Sequence, residues 1–357
     1  MNAELLKEAI TRLLAWYQLH KRELPWRDEP SPYRVWVSEI MLQQTRIETV
    51  IPYYERFIRE LPDVKALAEA EEERLMKLWQ GLGYYNRVRN LQLSAKIIMS
   101  DFDGMIPNRA IDLRRLPGIG AYTAGAIASI ACGQPEPAVD GNVLRVMTRL
   151  FACDHDISRT KTLNELTQIL RDVYPSGAAA GELTEGLMEL GEVVCLPNTQ
   201  PLCEDCPWKD LCSAHKQGKE QEFPVRSARK QREIEEMTVA LIECGNYYAL
   251  RRRNKSGLLA NMWEFVNIPG VDIEPLINQL LHEGVRVETV EPLGSTCHVF
   301  THVEWHMKFY RIVIYDQVPR YTWKTARQIH EECAIPIAFR YLVDRIPYEE
   351  QRPQNPE

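Results

Sequence analysis

The chain has 357 residues, of which 45% are hydrophobic and 26% charged, and its net charge is −7. This length exceeds the size at which a single hydrophobic core keeps growing, so we expect two domains. No apolar run is long enough to span a bilayer, and the N-terminus lacks the features of a transit peptide. These features exclude a membrane protein and predict a cytoplasmic one. The acidic balance alone disfavours a nucleic-acid partner, although phosphate binding depends on local cations and backbone N–H groups.

In residues 1–213, apolar residues recur at intervals of three and four, and this pattern predicts a helical domain. The clearest helical runs are residues 33–45, 67–79, 111–116, 121–131 and 183–194. Residues 214–236 are polar and charged, which predicts an exposed linker. Residues 237–357 predict a smaller α+β domain, with a helix over residues 274–281 and strand-like runs at residues 238–242, 247–251 and 305–315.

Four of the nine cysteines lie within eighteen residues, in the pattern C-x7-C-x2-C-x5-C: Cys195, Cys203, Cys206 and Cys212. A chain without a secretion signal keeps its thiols reduced, which favours ligation over disulfides. Four thiolates at this spacing suit a [4Fe-4S] cluster. Zinc is the competing ligand, but zinc ribbons use two C-x2-C pairs and this pattern has one. Four unligated thiols are the third interpretation, and the prolines between them disfavour it.

A glycine-containing turn, Leu116 to Gly120, lies between two helical runs. Gly118 and Gly120 permit a tight hairpin whose backbone approaches a phosphate closely, and the next helix offers free N–H groups. The pattern indicates a helix-hairpin-helix clamp on a DNA backbone. An ordinary turn is the alternative for so short a motif.

Two carboxylates have the character that breaking an N-glycosidic bond requires. Asp140 precedes a helical stripe, a common position for an N-cap, and this role is compatible with a catalytic one, because a carboxylate at a helix N-terminus stays ionised and is able to face a developing sugar cation. Glu39 lies at the border of the apolar stripe of the helix over residues 33–45, where a border Glu is usually solvated. A half-buried carboxyl instead has a raised pKa and acts as a general acid for a purine leaving group.

Six motifs occur in one order along the chain: Pro25-Trp26-Arg27, Val37 to Thr45, Gly81 to Tyr85, Leu116 to Tyr122, Val139 to Asn142, and the cysteine cluster. Together they closely resemble the mismatch-specific adenine DNA glycosylases (MutY family) of the helix-hairpin-helix superfamily, over nearly the whole chain. The resemblance implies a mainly α helix-hairpin-helix glycosylase domain with a [4Fe-4S] cluster, followed by a smaller α+β Nudix-like domain. It also implies duplex DNA containing A·8-oxoguanine or A·G mispairs as the partner, bound by a monomer.

The resemblance implies a catalytic set in which Glu39 protonates the adenine and Asp140 stabilises the sugar cation or a covalent intermediate. Tyr122 and Asn142 support this pair. Members that resemble endonuclease III have a lysine at the position of Tyr122, whose amine attacks the sugar and cleaves the strand. Tyr122 therefore implies a water nucleophile and a monofunctional glycosylase.

The resemblance also implies residues that contact the extruded adenine and the DNA. Arg27 and Glu185 line the adenine pocket. Gln44 and Tyr84 wedge into the base stack as the adenine is flipped out, which offsets part of the unstacking cost. The glycines of the Gly81 to Tyr85 motif are expected to expose the loop that carries Tyr84. The arginines at positions 87 and 89 are expected to lie close to a DNA phosphate.

The second domain resembles the Nudix-like domain that reads 8-oxoguanine opposite the adenine. Its lesion-reading loop is Phe300, Thr301 and His302, where the family usually has Phe-Ser-His. The Glu-rich metal box of a Nudix pyrophosphatase is missing after Gly270, which implies binding rather than hydrolysis. A second departure is the seven-residue gap after Cys195, where the family usually has six.

Three other functions are compatible with parts of the sequence. An endonuclease III-like pyrimidine glycosylase and lyase shares the hairpin, Asp140 and the cluster, but Tyr122 and the second domain disfavour it. A non-catalytic DNA-binding or redox protein on the same scaffold would use Glu39 as a surface acid and Asp140 only as a cap. A nucleotide hydrolase is disfavoured by the missing metal box.

Overall fold

The computed structural model describes residues 2–227, 231–254 and 257–347. The chain forms two compact units. The first contains residues 1–70 and 86–228, and the second contains residues 71–85 and 229–357. None of the helices in the described ranges has the length and apolar character needed to cross a membrane.

The first unit is helical, as the sequence predicts. Its helices are α1 (Ala3–His20), α2 (Pro32–Leu42), α3 (Ile47–Glu60), α4 (Val64–Glu69), α6 (Asn86–Asp101), α7 (Ala110–Leu113), α8 (Ala121–Ala126), α9 (Gly141–Phe151), α10 (Thr160–Arg171), α11 (Ala178–Val193) and α12 (Ser213–Gln217). Helix α5 (Glu72–Trp79) belongs to the second unit. The helix predicted over residues 67–79 is therefore two helices, α4 and α5, which fall in different units.

Helix α2 has a well-defined N-terminus. The Ser31 hydroxyl accepts a hydrogen bond from the Arg34 N–H at 3.3 Å, and Pro32 occupies the first helical position, where its missing N–H costs nothing. The helix packs against α3, α6, α8 and the π-helical turn Ile127–Ala131. Because several neighbours surround it, most of α2 is buried rather than one stripe.

One hydrophobic core cluster of this unit lies among α1, α9, α10 and α11. It consists of buried apolar side chains such as Leu13, Val146, Leu166 and Leu187. Helices α9 and α11 approach closely because Gly191 has no side chain: a Cβ there would lie 2.7 Å from the Asn142 Cβ. This approach fixes the start of α9, where Asp140 and Asn142 are found.

The second unit is built on a six-stranded sheet, which agrees with the predicted α+β class. Its strands are β1 (Glu233–Cys244), β2 (Tyr247–Arg252), β3 (Trp263–Pro269), β4 (Val287–Val299), β5 (Val303–Ile314) and β6 (Thr322–Thr325), in the order β4-β5-β1-β3-β2-β6. Strands β1 and β5 are parallel, and the other paired strands are antiparallel. Helices α13 (Glu274–His282), α14 (Ala326–Glu331) and α15 (Arg340–Val343) complete the unit, whose apolar side chains form two clusters.

The linker predicted over residues 214–236 is partly folded into the first unit. Helix α12 and a 3-10 turn, Glu220–Glu222, occupy its first part, and Ala214, Glu220 and Phe223 are buried. The Arg149 guanidinium donates to the carbonyls of Glu220 and Phe223 at 2.7 and 3.1 Å, which fixes this segment. Strand β1 begins at residue 233, and residues 228–230 of the predicted linker lie outside the described residues, as do residues 348–357 of the predicted second domain.

Candidate active site

One pocket in the helical unit collects the predicted catalytic and adenine-lining residues. Its walls come from α2 and the loops on both sides of it, the start of α3, α8, the π-helical turn, the start of α9 and α11. Six of the predicted residues line it: Arg27, Glu39, Tyr122, Asp140, Asn142 and Glu185. The π-helical turn contributes Ile130, in agreement with the frequent occurrence of such turns at functional sites.

Glu39 is deeply buried, with 5% of its surface exposed, rather than half-buried at a helix border. The Tyr122 hydroxyl donates a hydrogen bond to its Oε2 at 2.7 Å. The pKa of Glu39 is raised to about 7: burial raises it most, the charges of Asp140 and Glu185 add to the increase, and the Tyr122 hydrogen bond and Arg27 lower it. A carboxyl with this pKa holds its proton near neutral pH and is able to donate it.

Asp140 is the N-cap of α9, as the sequence predicts. Its Oδ1 accepts the Val143 N–H at 2.7 Å. Burial raises the pKa of Asp140, whereas hydrogen bonds from Val143 and Asn142 and the charge of Arg145 lower it. The sequence predicts that the helix N-terminus favours the ionised form, but burial is the larger influence and leaves the pKa above its usual value.

Asn142 is held in place by Arg145, a residue that the sequence did not single out. The Arg145 guanidinium donates to Asn142 Oδ1 and to the Gly191 carbonyl, both at 2.8 Å, and its Nε donates to the Cys195 carbonyl at 2.8 Å. A buried arginine thus ties the start of α9 to α11 and to the segment that carries the cysteines. The available signal in the sequence was a pair of arginines, Arg145 and Arg149, among the apolar residues of α9.

Arg27 and Glu185 face each other in a larger charged network. Arg27 Nε lies 3.3 Å from Glu185 Oε1, and Arg27 Nη2 donates to Glu189 Oε2 at 2.8 Å. The Tyr17 hydroxyl donates to Glu185 Oε2 at 2.7 Å, and Arg22 pairs with Glu189. Glu189 was missed, although it follows Glu185 by one helical turn and therefore shares its face of α11.

Gln44 and Tyr84, the predicted wedge residues, share an unusual backbone conformation. Their φ angles are +60° and +48°, in the left-handed region that non-glycine residues rarely occupy. Gln44 lies in the helical unit and Tyr84 in the second unit, and both side chains are exposed. Strained backbone at exposed positions is a feature that clusters at functional sites.

Arg87 does not lie at the surface for phosphate, contrary to the sequence interpretation. Its Nη1 donates to the carbonyls of Ile40, Met41 and Gln43 at 2.8, 3.0 and 2.7 Å. These carbonyls end helix α2, so Arg87 caps its C-terminus. The role of Arg87 is to fix the turn that leads from Glu39 to Gln44.

The predicted hairpin connects α7 to α8. Gly118 has φ +78°, and a Cβ at this position would lie 2.7 Å from the Asn90 Cβ, so both its conformation and its close approach require glycine. The Ser94 hydroxyl donates to the Pro117 carbonyl at 2.7 Å and holds the turn. At Gly120 a Cβ would meet no described atom within 4 Å, so no described side chain or backbone segment of the protein crowds this position.

The four clustered cysteines line a second cavity, together with apolar side chains of α9 and α11. All nine cysteines lie in the described ranges as free thiols. Backbone N–H groups of Trp208 and of Ala214 and His215 point to the sulfurs of Cys206 and Cys212, and Arg149 Nη1 donates to Cys195 Sγ at 3.2 Å. This set of four sulfurs with N–H donors and an apolar shell fits an iron–sulfur cluster.

Glu220 and His215 lie at the same cavity as an additional polar pair. His215 Nδ1 lies 2.6 Å from Glu220 Oε1, and Cys203 Sγ lies 3.7 Å from the same oxygen. Glu220 lies in the segment for which the sequence predicts a linker, and its position in the sequence gives no sign of its contact with Cys203.

The predicted lesion-reading residues form the turn between β4 and β5. The Phe300 ring packs between His298 and Trp305, with ring centroids 4.6 and 4.7 Å away, and the Phe300 N–H donates to the Val303 carbonyl at 2.8 Å. Thr301 and His302 are exposed. The hydroxyls of Thr301 and Tyr84, both in the second unit, are 3.1 Å apart.

Two family models match the chain in the order of its two units. Residues 37–172 match the HhH-GPD superfamily of base excision DNA repair proteins, and residues 238–345 match the NUDIX domain. The adenine DNA glycosylase of Rattus norvegicus is 33% identical over 95% of this chain and 78% of its own length. The human adenine DNA glycosylase is 33% identical over 89% of this chain and 70% of its own length. The chain belongs to the adenine DNA glycosylase family.

Solved structures support the fold of this adenine DNA glycosylase family member. A thermostable thymine-DNA glycosylase superposes with a TM-score of 0.55 at 25% identity, covering 60% of this chain and all of that chain. A trapped endonuclease III–DNA covalent intermediate superposes with a TM-score of 0.52 at 22% identity, covering 61% of this chain and 99% of that chain. The predicted helix-hairpin-helix fold is therefore confirmed, and the match to a NUDIX domain confirms the second domain.

Proposed function

We propose that this enzyme hydrolyses the N-glycosidic bond of adenine mispaired with 8-oxoguanine or guanine in duplex DNA, and that it leaves the DNA strand intact. The observation that carries the proposal is one pocket in which a buried carboxyl of raised pKa, Glu39, faces a helix-capping carboxylate, Asp140. Membership of the adenine DNA glycosylase family agrees with this pair.

Glu39 is the general acid of the proposed reaction. An adenine anion is a poor leaving group, so a proton must reach the base as the bond to C1′ breaks. The Tyr122 hydroxyl occupies Glu39 Oε2, which assigns the transferable proton to Oε1. As the proton leaves, the same hydroxyl stabilises the carboxylate that forms.

Asp140 is the electrostatic partner. Burial raises its pKa, and the bonds from the Val143 N–H and from Asn142 oppose this and favour its ionised form. A negative charge there stabilises the oxocarbenium-like sugar. Two carboxylates with different environments thus take the acid and the anionic roles. Water completes the reaction at C1′, because the phenol of Tyr122 cannot form an imine.

The adenine is selected by the charged wall of the pocket. Arg27 and Glu185 present donors and acceptors at fixed positions, since Tyr17 and Glu189 hold them from behind. Hydrogen bonds of this kind reject bases that lack matching groups, because the buried partners are then left unpaired.

The remaining contacts position the DNA. The open backbone at Gly120, beside Gly118, binds a phosphate, and Gln44 and Tyr84 enter the base stack where adenine has been extruded. In the second unit, Phe300, Thr301 and His302 read the base opposite the adenine. The enzyme acts as a monomer in the cytoplasm.

Cys195, Cys203, Cys206 and Cys212 hold a [4Fe-4S] cluster in this proposal. When bound, the cluster supplies a rigid cross-link of the segment after α11 rather than a step of the hydrolysis. Arg149 and Trp208 support this segment from the protein side, through the Cys195 sulfur and the Ala9 carbonyl.

The test compares Glu39→Gln with a matched control, Glu48→Gln, an exposed residue of the next helix. The amide keeps the shape of Glu39 but has no acidic proton, so adenine release should fall by about two to four orders of magnitude. Binding to the mispaired duplex should be retained. Near-normal turnover in Glu39→Gln, or an equal loss in Glu48→Gln, would contradict the assignment.

A further inference from the structure

The hairpin of β4 and β5 carries a second cluster of metal-ligating side chains, which the glycosylase proposal does not use. Cys297 lies directly opposite His306 in the antiparallel register, and Glu304 lies two residues before His306 on the same face of β5. Their ligand atoms all lie within 4.8 Å of one another. The sheet register therefore brings a sulfur, a nitrogen and a carboxylate oxygen to one point.

The distances are close to those of a tetrahedral zinc centre. Glu304 Oε1 lies 3.2 Å from Cys297 Sγ and 2.8 Å from His306 Nε2. Zinc bonds of about 2.0 to 2.3 Å place neighbouring tetrahedral ligands about 3.3 to 3.7 Å apart. The three atoms need to separate by less than about 1 Å to admit the ion, which side-chain rotation at an exposed position allows.

The adjacent strand carries a carboxylate in register with this cluster. Glu236 of β1 is in register with His306 in the parallel β1–β5 pair, and its side chain is exposed. Its carboxylate, or a water molecule, completes four-coordination. One cation, Arg232, lies near Glu304 and competes with the ion for that carboxylate.

We propose that Cys297, Glu304 and His306 form a zinc-binding site on the exposed face of the β4–β5 hairpin. One thiolate, one imidazole and one carboxylate form a mixed donor set that suits Zn²⁺ and disfavours Mg²⁺ or Ca²⁺, which take oxygen ligands. Binding releases the thiol proton that Cys297 now donates to Glu304. The ion cross-links the two strands on either side of the Phe300–His302 turn and restricts its motion.

The test is a zinc titration by calorimetry of the cluster-loaded protein, with Cys297→Ser and His306→Gln as variants. The control is Cys244→Ser, which removes a partly exposed thiol from β1 in the same sheet. Losing a direct ligand should weaken zinc binding by at least about 100-fold, because removing an outer-shell partner already costs about 10- to 100-fold. The control should bind zinc as the unaltered protein does, and circular dichroism verifies that every variant is folded.

X-ray absorption at the zinc edge distinguishes this site from the four-cysteine cavity. We expect the zinc ion to have one sulfur neighbour together with nitrogen and oxygen neighbours. Four sulfur neighbours, or zinc binding that Cys297→Ser and His306→Gln leave unchanged, would overturn it. Neither outcome bears on the bond-breaking step of adenine excision, because its proposed catalytic residues, Glu39 and Asp140, lie in the other unit.

Discussion

Replacing Tyr122 with phenylalanine removes one hydrogen bond from Glu39 and leaves the aromatic ring in place. The hydroxyl donates to Glu39 Oε2 at 2.7 Å, and this bond favours the ionised carboxylate, so it opposes the effect of burial and helps to hold the pKa of Glu39 at about 7. A hydrogen bond to a charged group contributes about 1.5 to 3 kcal/mol, and one pKa unit corresponds to about 1.4 kcal/mol. The pKa of Glu39 should therefore rise by about one to two units in Tyr122→Phe.

The assay is the single-turnover rate of adenine release from an A·8-oxoguanine duplex as a function of pH. Glu39 acts in its protonated form, so the rate falls as pH increases through its pKa. In Tyr122→Phe this fall should move to higher pH. Tyr174→Phe is the control, because Tyr174 is a buried phenol that bonds Thr184 instead of Glu39. A fall at unchanged or lower pH in Tyr122→Phe would refute the argument that Tyr122 tunes the acid.

Three further predictions concern stability and discrimination. The pKa of Glu39 is raised from 4.5 to about 7 in the folded protein, so the folded state should lose about 3 kcal/mol of stability as pH rises from 4.5 through 7. Glu39→Gln should not show this loss. Chemical denaturation of the unaltered protein and of Glu39→Gln, at pH values below 4.5 and above 7, measures the difference. Gly118→Ala should destabilise the fold by about 1 to 3 kcal/mol through its positive φ and its clash with Asn90, whereas Gly120→Ala should have a melting temperature close to that of the unaltered protein. Replacing Thr301 and His302 with alanine should reduce the preference for A·8-oxoguanine over A·G, and equal losses of excision rate on both mispairs would show that the turn positions the unit instead of reading the base.

The sequence predicted the pair Glu39 and Asp140 but not the depth of Glu39. Helical periodicity assumes one buried stripe, which places Glu39 at its border. Helix α2 instead packs against α3, α6, α8 and the π-helical turn, so tertiary contacts bury residues beyond that stripe. The raised pKa that makes Glu39 an acid follows from its burial among these neighbouring helices. The pattern of residues along one helix carries no information about such neighbours.

Other features depend on contacts between residues far apart in sequence. Arg87 follows an exposed glycine-rich run, which favoured a phosphate contact, but its guanidinium ends helix α2. The left-handed backbone at Gln44 and Tyr84 has no sequence signature, because neither residue type favours it. The segment after Cys212 has a polar composition, which predicts an exposed linker, but Ala214 and Phe223 within it are buried. Local pattern therefore predicted elements and motifs, while tertiary contacts determined these details.

The most direct measurement compares adenine release with strand cleavage on one labelled A·8-oxoguanine duplex. The duplex is incubated with the unaltered protein, and half of each sample is treated with alkali before the strands are separated. We predict that cleavage appears only after alkali, at the rate of adenine release, and that borohydride traps little protein on DNA, because Tyr122 offers no amine to C1′. Strand cleavage without alkali at the rate of adenine release, or no adenine release at all, would contradict the account.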